Sequence, residues 1–84
     1  MNNATQTDTE TMAKHAELLA LREELARLQN LNRINDLRKA VIMNERALPH
    51  LGGIPARHAR LRIAAAREEL TWREYLAQLE ADAA

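Results

Sequence analysis

Leu18, Leu21, Leu25 and Leu28 follow one another at steps of three, four and three, the spacing that lays a narrow apolar seam along one side of an α-helix. Leu28, Leu31, Ile34 and Leu37 then step by three alone. At 3.6 residues per turn this swings the stripe around the helix by about 60° per step. A second seam is unbroken: His58, Leu61, Ala65, Glu68, Trp72, Tyr75 and Leu79 alternate steps of three and four. Ile63, Ala66, Leu70 and Ala77 form a weaker apolar line roughly opposite. A helix with apolar residues on two sides sits between neighbours rather than at a periphery.

The helix breakers are confined to one place. Pro49, Gly52, Gly53 and Pro55 are the only Gly and Pro in the chain. Residues 1–48 are rich in Ala, Leu, Glu, Arg and Gln, the best helix formers. Thr7 with Glu10 fits a capping box. The pattern predicts a polar tail over 1–6, a first helix over about 8–48, a turn over 49–54, and a second helix over about 55–81 that opens with Pro55 in its first turn. Residues 7–84 then form one domain. Three pairs with the acid four residues before the base, Glu10/Lys14, Glu23/Arg27 and Glu69/Arg73, support both helices. One stretch opposes a continuous first helix: Asn30, Asn32, Asn35 and Asp36 cap helices better than they extend them. The helix either continues, kinked or straight with a change of packing face, or breaks over residues 30–35. The lack of Gly and Pro there favours continuation.

Lengths of about 60 Å and 40 Å follow for the two helices, so a hairpin leaves the first overhanging by roughly 20 Å. Leu18, Leu19 and Leu21 fall on that overhang. Composition sharpens the point. Of 84 residues, 46% are hydrophobic, but 16 of these are Ala. A chain this short buries only about 60% of its unfolded surface and is marginal alone. It has no Cys for disulfides or thiolate metal sites. The fold class expected is therefore all-α, a two-helix hairpin that dimerises into a four-helix, coiled-coil-like bundle. Its core or dimer seam is assigned to Leu18, Leu21, Leu25 and Leu28 with Leu61, Trp72, Tyr75 and Leu79.

Catalytic chemistry is poorly supplied. There is no Ser and no Cys, and four of the five Thr (Thr5, Thr7, Thr9, Thr11) crowd the first residues, leaving Thr71. His15, His50 and His58 lack the three- or four-residue spacing of a helical metal pair. No catalytic residue, metal or cofactor is assigned, and a non-enzymatic protein is expected. Glu68, on the seam, is expected to be partly exposed or paired with an Arg of a neighbouring helix, and such a pair would help fix register. No apolar run reaches the roughly 20 residues of a membrane span, and the opening residues lack signal-peptide features, so a cytoplasmic location is expected. Usage high in Ala and Arg and low in Lys fits a GC-rich bacterial or phage source.

Charge cancels in total, with 12 basic and 12 acidic side chains, but it is not evenly placed. Residues 1–32 carry net −2, residues 33–67 net +6, and residues 68–84 net −4. A hairpin gathers the positive third around its turn. Arg57, Arg60 and Arg67 fall within about 80° of one another around the second helix, and Arg38 and Arg46 lie on the first. Arginine suits bidentate contacts to carboxylate or phosphate. These five are the candidate partner-binding residues. The expected partners are a second copy of the chain and an acidic-surfaced protein, making this a regulator or inhibitor that docks onto something larger. Nucleic acid is the less favoured alternative, because the chain is neutral and no aromatic side chain lies among the arginines for stacking. A structural assembly piece held by the leucine seam is the third.

Overall fold

A computed structural model describes the backbone over residues 2–83 and the side chains over residues 8–83. Helix α1 spans Asn2–Ala47 in 46 residues without a break. A single 3-10 turn, Leu48–His50, follows, and helix α2 spans Gly53–Ala83 in 31 residues. The described residues contain no strand. The two helices pack side by side as an antiparallel hairpin, confirming the all-α hairpin. Helical backbone reaches back to Asn2, through the stretch where a polar tail was expected. The cap assigned to Thr7 lies outside the described side chains.

Pro49 sits in the first turn of the 3-10 segment, where its missing N–H costs nothing. Leu51 is extended, and its N–H donates to the Leu48 carbonyl at 3.1 Å. Gly53 opens α2 with φ of 56°. A side chain there would strain the backbone although nothing crowds the position.

The helix runs through its asparagine cluster because the inward asparagine has somewhere better to bond than its own backbone. Asn30 is buried, and its amide Nδ2 donates to the Arg73 carbonyl of α2 at 3.2 Å. Asn44 donates back to the Ala40 carbonyl, one turn earlier. Asn32 and Asn35 are exposed and do not disturb the packed face.

The packed faces differ from those the bulky residues suggest. From α1, Asn30, Ile34, Leu37, Val41 and Asn44 point inward at steps of four and three, and Leu48 of the 3-10 turn continues the line. From α2 the inward line is Ala56, Ala59, Ile63, Ala66, Leu70, Arg73 and Ala77. The weaker, alanine-rich line of α2 is the one that meets α1. Among the described residues the buried apolar side chains are Ile34 and Leu37, part-way along the hairpin, and Ala56, Ala59 and Ile63 on the turn-side half of α2.

The molecule is a rod of 76 × 24 × 14 Å with a radius of gyration of 21.5 Å, against about 12 Å for a compact domain of this length. The groove nearest the open end is lined by Ala20, Glu23, Arg27, Glu80 and Ala83. The overhang of α1 thus begins before about residue 20. Leu18 and Leu19 flank its start, whereas Leu21 lies level with the end of α2. Among the described residues no helix is long and apolar enough to cross a membrane.

Candidate functional site

Four side chains lock the two helices in register. Arg33 grips Glu69 with both ends of its guanidinium, Nε donating to Oε2 at 2.7 Å and Nη2 to Oε1 at 3.1 Å. Arg73 donates from Nε to the same Glu69 at 2.9 Å, and from Nη1 to the Asn30 side-chain oxygen at 3.1 Å. Its guanidinium carbon also lies 5.0 Å from the Trp72 ring centre. The hydrogen bond from Arg33 holds the Glu69 carboxyl below its ordinary value, helped by Arg73 and opposed by partial desolvation. The same bond raises Arg33.

Of the two expectations for Glu68, exposure and pairing with an Arg, exposure is the one met: it makes no ion pair among the described residues. Its neighbour, one position on, holds the register. The signal that would have found the clamp is the step pattern of the small-residue line, which carries Ala66, Leu70, Arg73 and Ala77 in phase. Of the short-range pairs, Glu69/Arg73 forms, while Arg27 takes Glu24 rather than Glu23, at 3.8 Å.

Because the folded Glu69 titrates lower than the unfolded one, its contribution to stability is full above the ordinary carboxyl value of 4.5 and is lost as pH falls through the lowered value. Thermal melts from pH 7 downward are expected to show midpoints falling below about pH 4.5. Glu69→Gln should flatten part of that fall. An unchanged pH slope in this variant would contradict the assignment.

The basic end divides into two sets. Arg38 reaches Glu74 at 3.2 Å and Arg67 bonds Glu45, both across the hairpin. Arg46, Arg57 and Arg60 have no ion-pair partner among the described residues and project from the turn end. The sector proposed from sequence for Arg57, Arg60 and Arg67 is therefore not a single free patch. His50 and His58 are both exposed. Among the described residues no three His, Cys, Asp or Glu come together as a metal-holding group.

The eight seam residues all lie outside the hairpin core. On α1, Leu18, Leu21, Leu25 and Leu28 are 45–56% exposed. At about 100° per residue they centre nearly opposite the inward face that holds Ile34 and Leu37. On α2, Leu61, Trp72, Tyr75 and Leu79 are 47–66% exposed and likewise lie nearly opposite Ala59 and Ile63. Each helix thus presents an uncovered apolar line on the side turned away from its neighbour. Contiguous exposed apolar surface of this kind marks interaction faces. No protein-family description, no curated protein and no solved structure matches this chain.

Proposed function

We propose that this chain is a non-enzymatic, protein-binding hairpin, a regulator or inhibitor that self-associates and docks onto a larger protein. The observation that supports it best is the pair of outward apolar lines, because hairpin formation uses neither. Two lines facing away from each other suit two different contacts, one with a second copy and one with a target. The α1 line is the better target face. It continues onto the overhang, where α2 no longer shields either side, and exposed leucines there suit a helix or groove of another protein. Arg46, Arg57 and Arg60 favour a target with acidic surface near the turn, steering encounter.

Affinity purification against lysate of the source cell, followed by mass spectrometry, tests the docking. Wild-type chain should recover one specific protein, and Leu21→Glu with Leu25→Glu should lose it while helical signal is retained. Equal recovery by the variant would rule out the α1 line. The free arginines also favour a second reading, binding to nucleic acid. Anisotropy against duplex DNA and structured RNA should then show affinity falling steeply with salt. No binding at low salt removes that alternative and leaves docking to protein or a role as an assembly piece.

A further inference from the structure

Hairpin formation pairs the charges in the middle of α2, Glu68 excepted, and leaves its two ends unpaired. Arg67, Glu69, Arg73 and Glu74 all have ion-pair partners within the chain. Among the described residues, Arg57, Arg60 and Arg62 at the start of the helix have none, and neither do Glu80 and Asp82 at its end. Asp82 accepts only a neutral hydrogen bond, from Gln78 at 2.9 Å, and Glu80 Oε2 is buried with no hydrogen-bond partner. Between the two charged ends runs the outward line of Leu61, Trp72, Tyr75 and Leu79.

We infer that a second copy of the chain covers this line, with the two α2 helices antiparallel about a two-fold axis level with Leu70. This rests on the reading of the outward lines as interfaces, and it assigns the α2 line to self-association. Charge complementarity selects the occupant and its direction. In an antiparallel pair, the uncompensated positive end of each helix lies on the uncompensated negative end of the other, twice over by symmetry. A parallel pair would stack like on like.

The register follows from the spacing. With the axis level with Leu70, Leu61 meets Leu79 of the second copy and Ala65 meets Tyr75 of the second copy. Arg57 then falls beside Asp82 of the second copy on the rim of the outward line, whereas Glu80 lies in the groove against α1 and takes no part. The α1 leucines lack this end-to-end separation, since Glu17, Arg22, Glu23, Glu24 and Arg27 alternate in sign along them. Glu68 and its symmetry mate approach each other near the axis and oppose association, so Glu68→Leu should tighten the dimer.

The full chain carries its own probe, because Trp72 is the only Trp and sits on the proposed interface. Sedimentation should show a dimer at micromolar concentration, and Trp72 emission should shift to the red on dilution. With no native Cys, the variants Ala64→Cys and Gln78→Cys report direction, since both positions are exposed rim sites. A short bifunctional thiol reagent should join the two variants when mixed and should join neither to itself. Arg57→Glu should weaken self-association by a few-fold, on the order of the effect of losing one rim ion pair counted twice by symmetry. Mixing that variant with Asp82→Arg should restore pairing between the two.

Several outcomes would overturn the inference. A wild-type monomer at all concentrations removes both the inference and self-association as part of the function. A dimer in which each cysteine variant cross-links to itself is parallel and refutes the antiparallel assignment. A dimer with no α2 cross-link, whose Trp72 emission ignores dilution, refutes this interface and leaves self-association to the α1 leucines.

Discussion

Ile34→Ala is expected to destabilise the hairpin by about 2–4 kcal/mol. Ile34 is 4% exposed and lies part-way along the hairpin, between the positions where Arg33 reaches Glu69 and Arg38 reaches Glu74. The Asn30–Arg73, Arg33–Glu69 and Arg38–Glu74 contacts set Ile34 against the stretch of α2 whose inward line carries Ala66, Leu70, Arg73 and Ala77, half of it alanine. Alanine side chains have no rotamers with which to refill a cavity, so the site collapses poorly, and poor collapse sets the upper end of such costs. A chain of 84 residues at roughly 0.05–0.15 kcal/mol per residue has about 4–13 kcal/mol in all. One substitution thus removes a large share, and the variant should lose most of its helical circular dichroism at 37 °C if the chain lies near the lower end. Urea titration of both proteins gives the difference directly. The control is Ile42→Ala, on the same helix but 47% exposed, expected within about 0.5 kcal/mol of wild type. Equal losses at the two positions would mean that the inward face of α1 is not the one described.

The contrast between Ile34 and Ile42 also shows what the sequence made legible. Confining Gly and Pro to residues 49–55 announced the hairpin, and the absence of either near Asn30 favoured one continuous α1. The packing face was harder. On α2, bulk points to Leu61, Trp72, Tyr75 and Leu79, yet the hairpin closes through Ala56, Ala59, Ile63 and Ala66. Two helices in one chain have only one mutual interface, and small residues let their axes approach closely enough for Ile34 and Leu37 to be buried. Hydrophobicity ranks residues by size and cannot tell an internal face from one that waits for another molecule. The same ambiguity hid the clamp. Arg73 reads as one member of an ordinary exposed Glu69/Arg73 pair until Asn30, 43 residues away, is brought against it. Glu68 was the attractive candidate because it lies on the bulky seam, but that seam faces outward. The division of the arginines was likewise invisible, since Arg67 differs from Arg60 only in having Glu45 within reach across the hairpin.

Removing Arg73 is expected to have the second largest effect, and the pattern of its rescue distinguishes a register device from a simple contribution to stability. Arg73→Ala leaves the Asn30 side-chain oxygen without its charged donor at a position only 4% exposed. A buried polar group stripped of its partner costs about 1–3 kcal/mol. Arg33 still satisfies Glu69, so the ion pair itself contributes little to the loss, as expected for side chains this exposed. Arg73→Lys should recover little, because a point charge on a flexible stem cannot serve Asn30 and Glu69 together as the planar guanidinium does. Asn30→Leu with Arg73→Leu removes both ends of the interaction. It should restore or exceed wild-type stability, since apolar replacements of similar size avoid the desolvation of both groups. A double-mutant cycle should therefore show coupling of at least about 1 kcal/mol. The double variant should also lose definition, because it gives up the part-buried Asn30–Arg73 contact and leaves the register to a face of Leu against Ala and Ile and to the more exposed Arg33–Glu69, Arg38–Glu74 and Arg67–Glu45 pairs. Amide resonances across α1 and α2 should broaden or multiply while the melting temperature holds. If the two substitutions add with no coupling and the double variant keeps one sharp set of resonances, then the Asn30–Arg73 contact does not set the register, and the small-residue face and the remaining pairs do so.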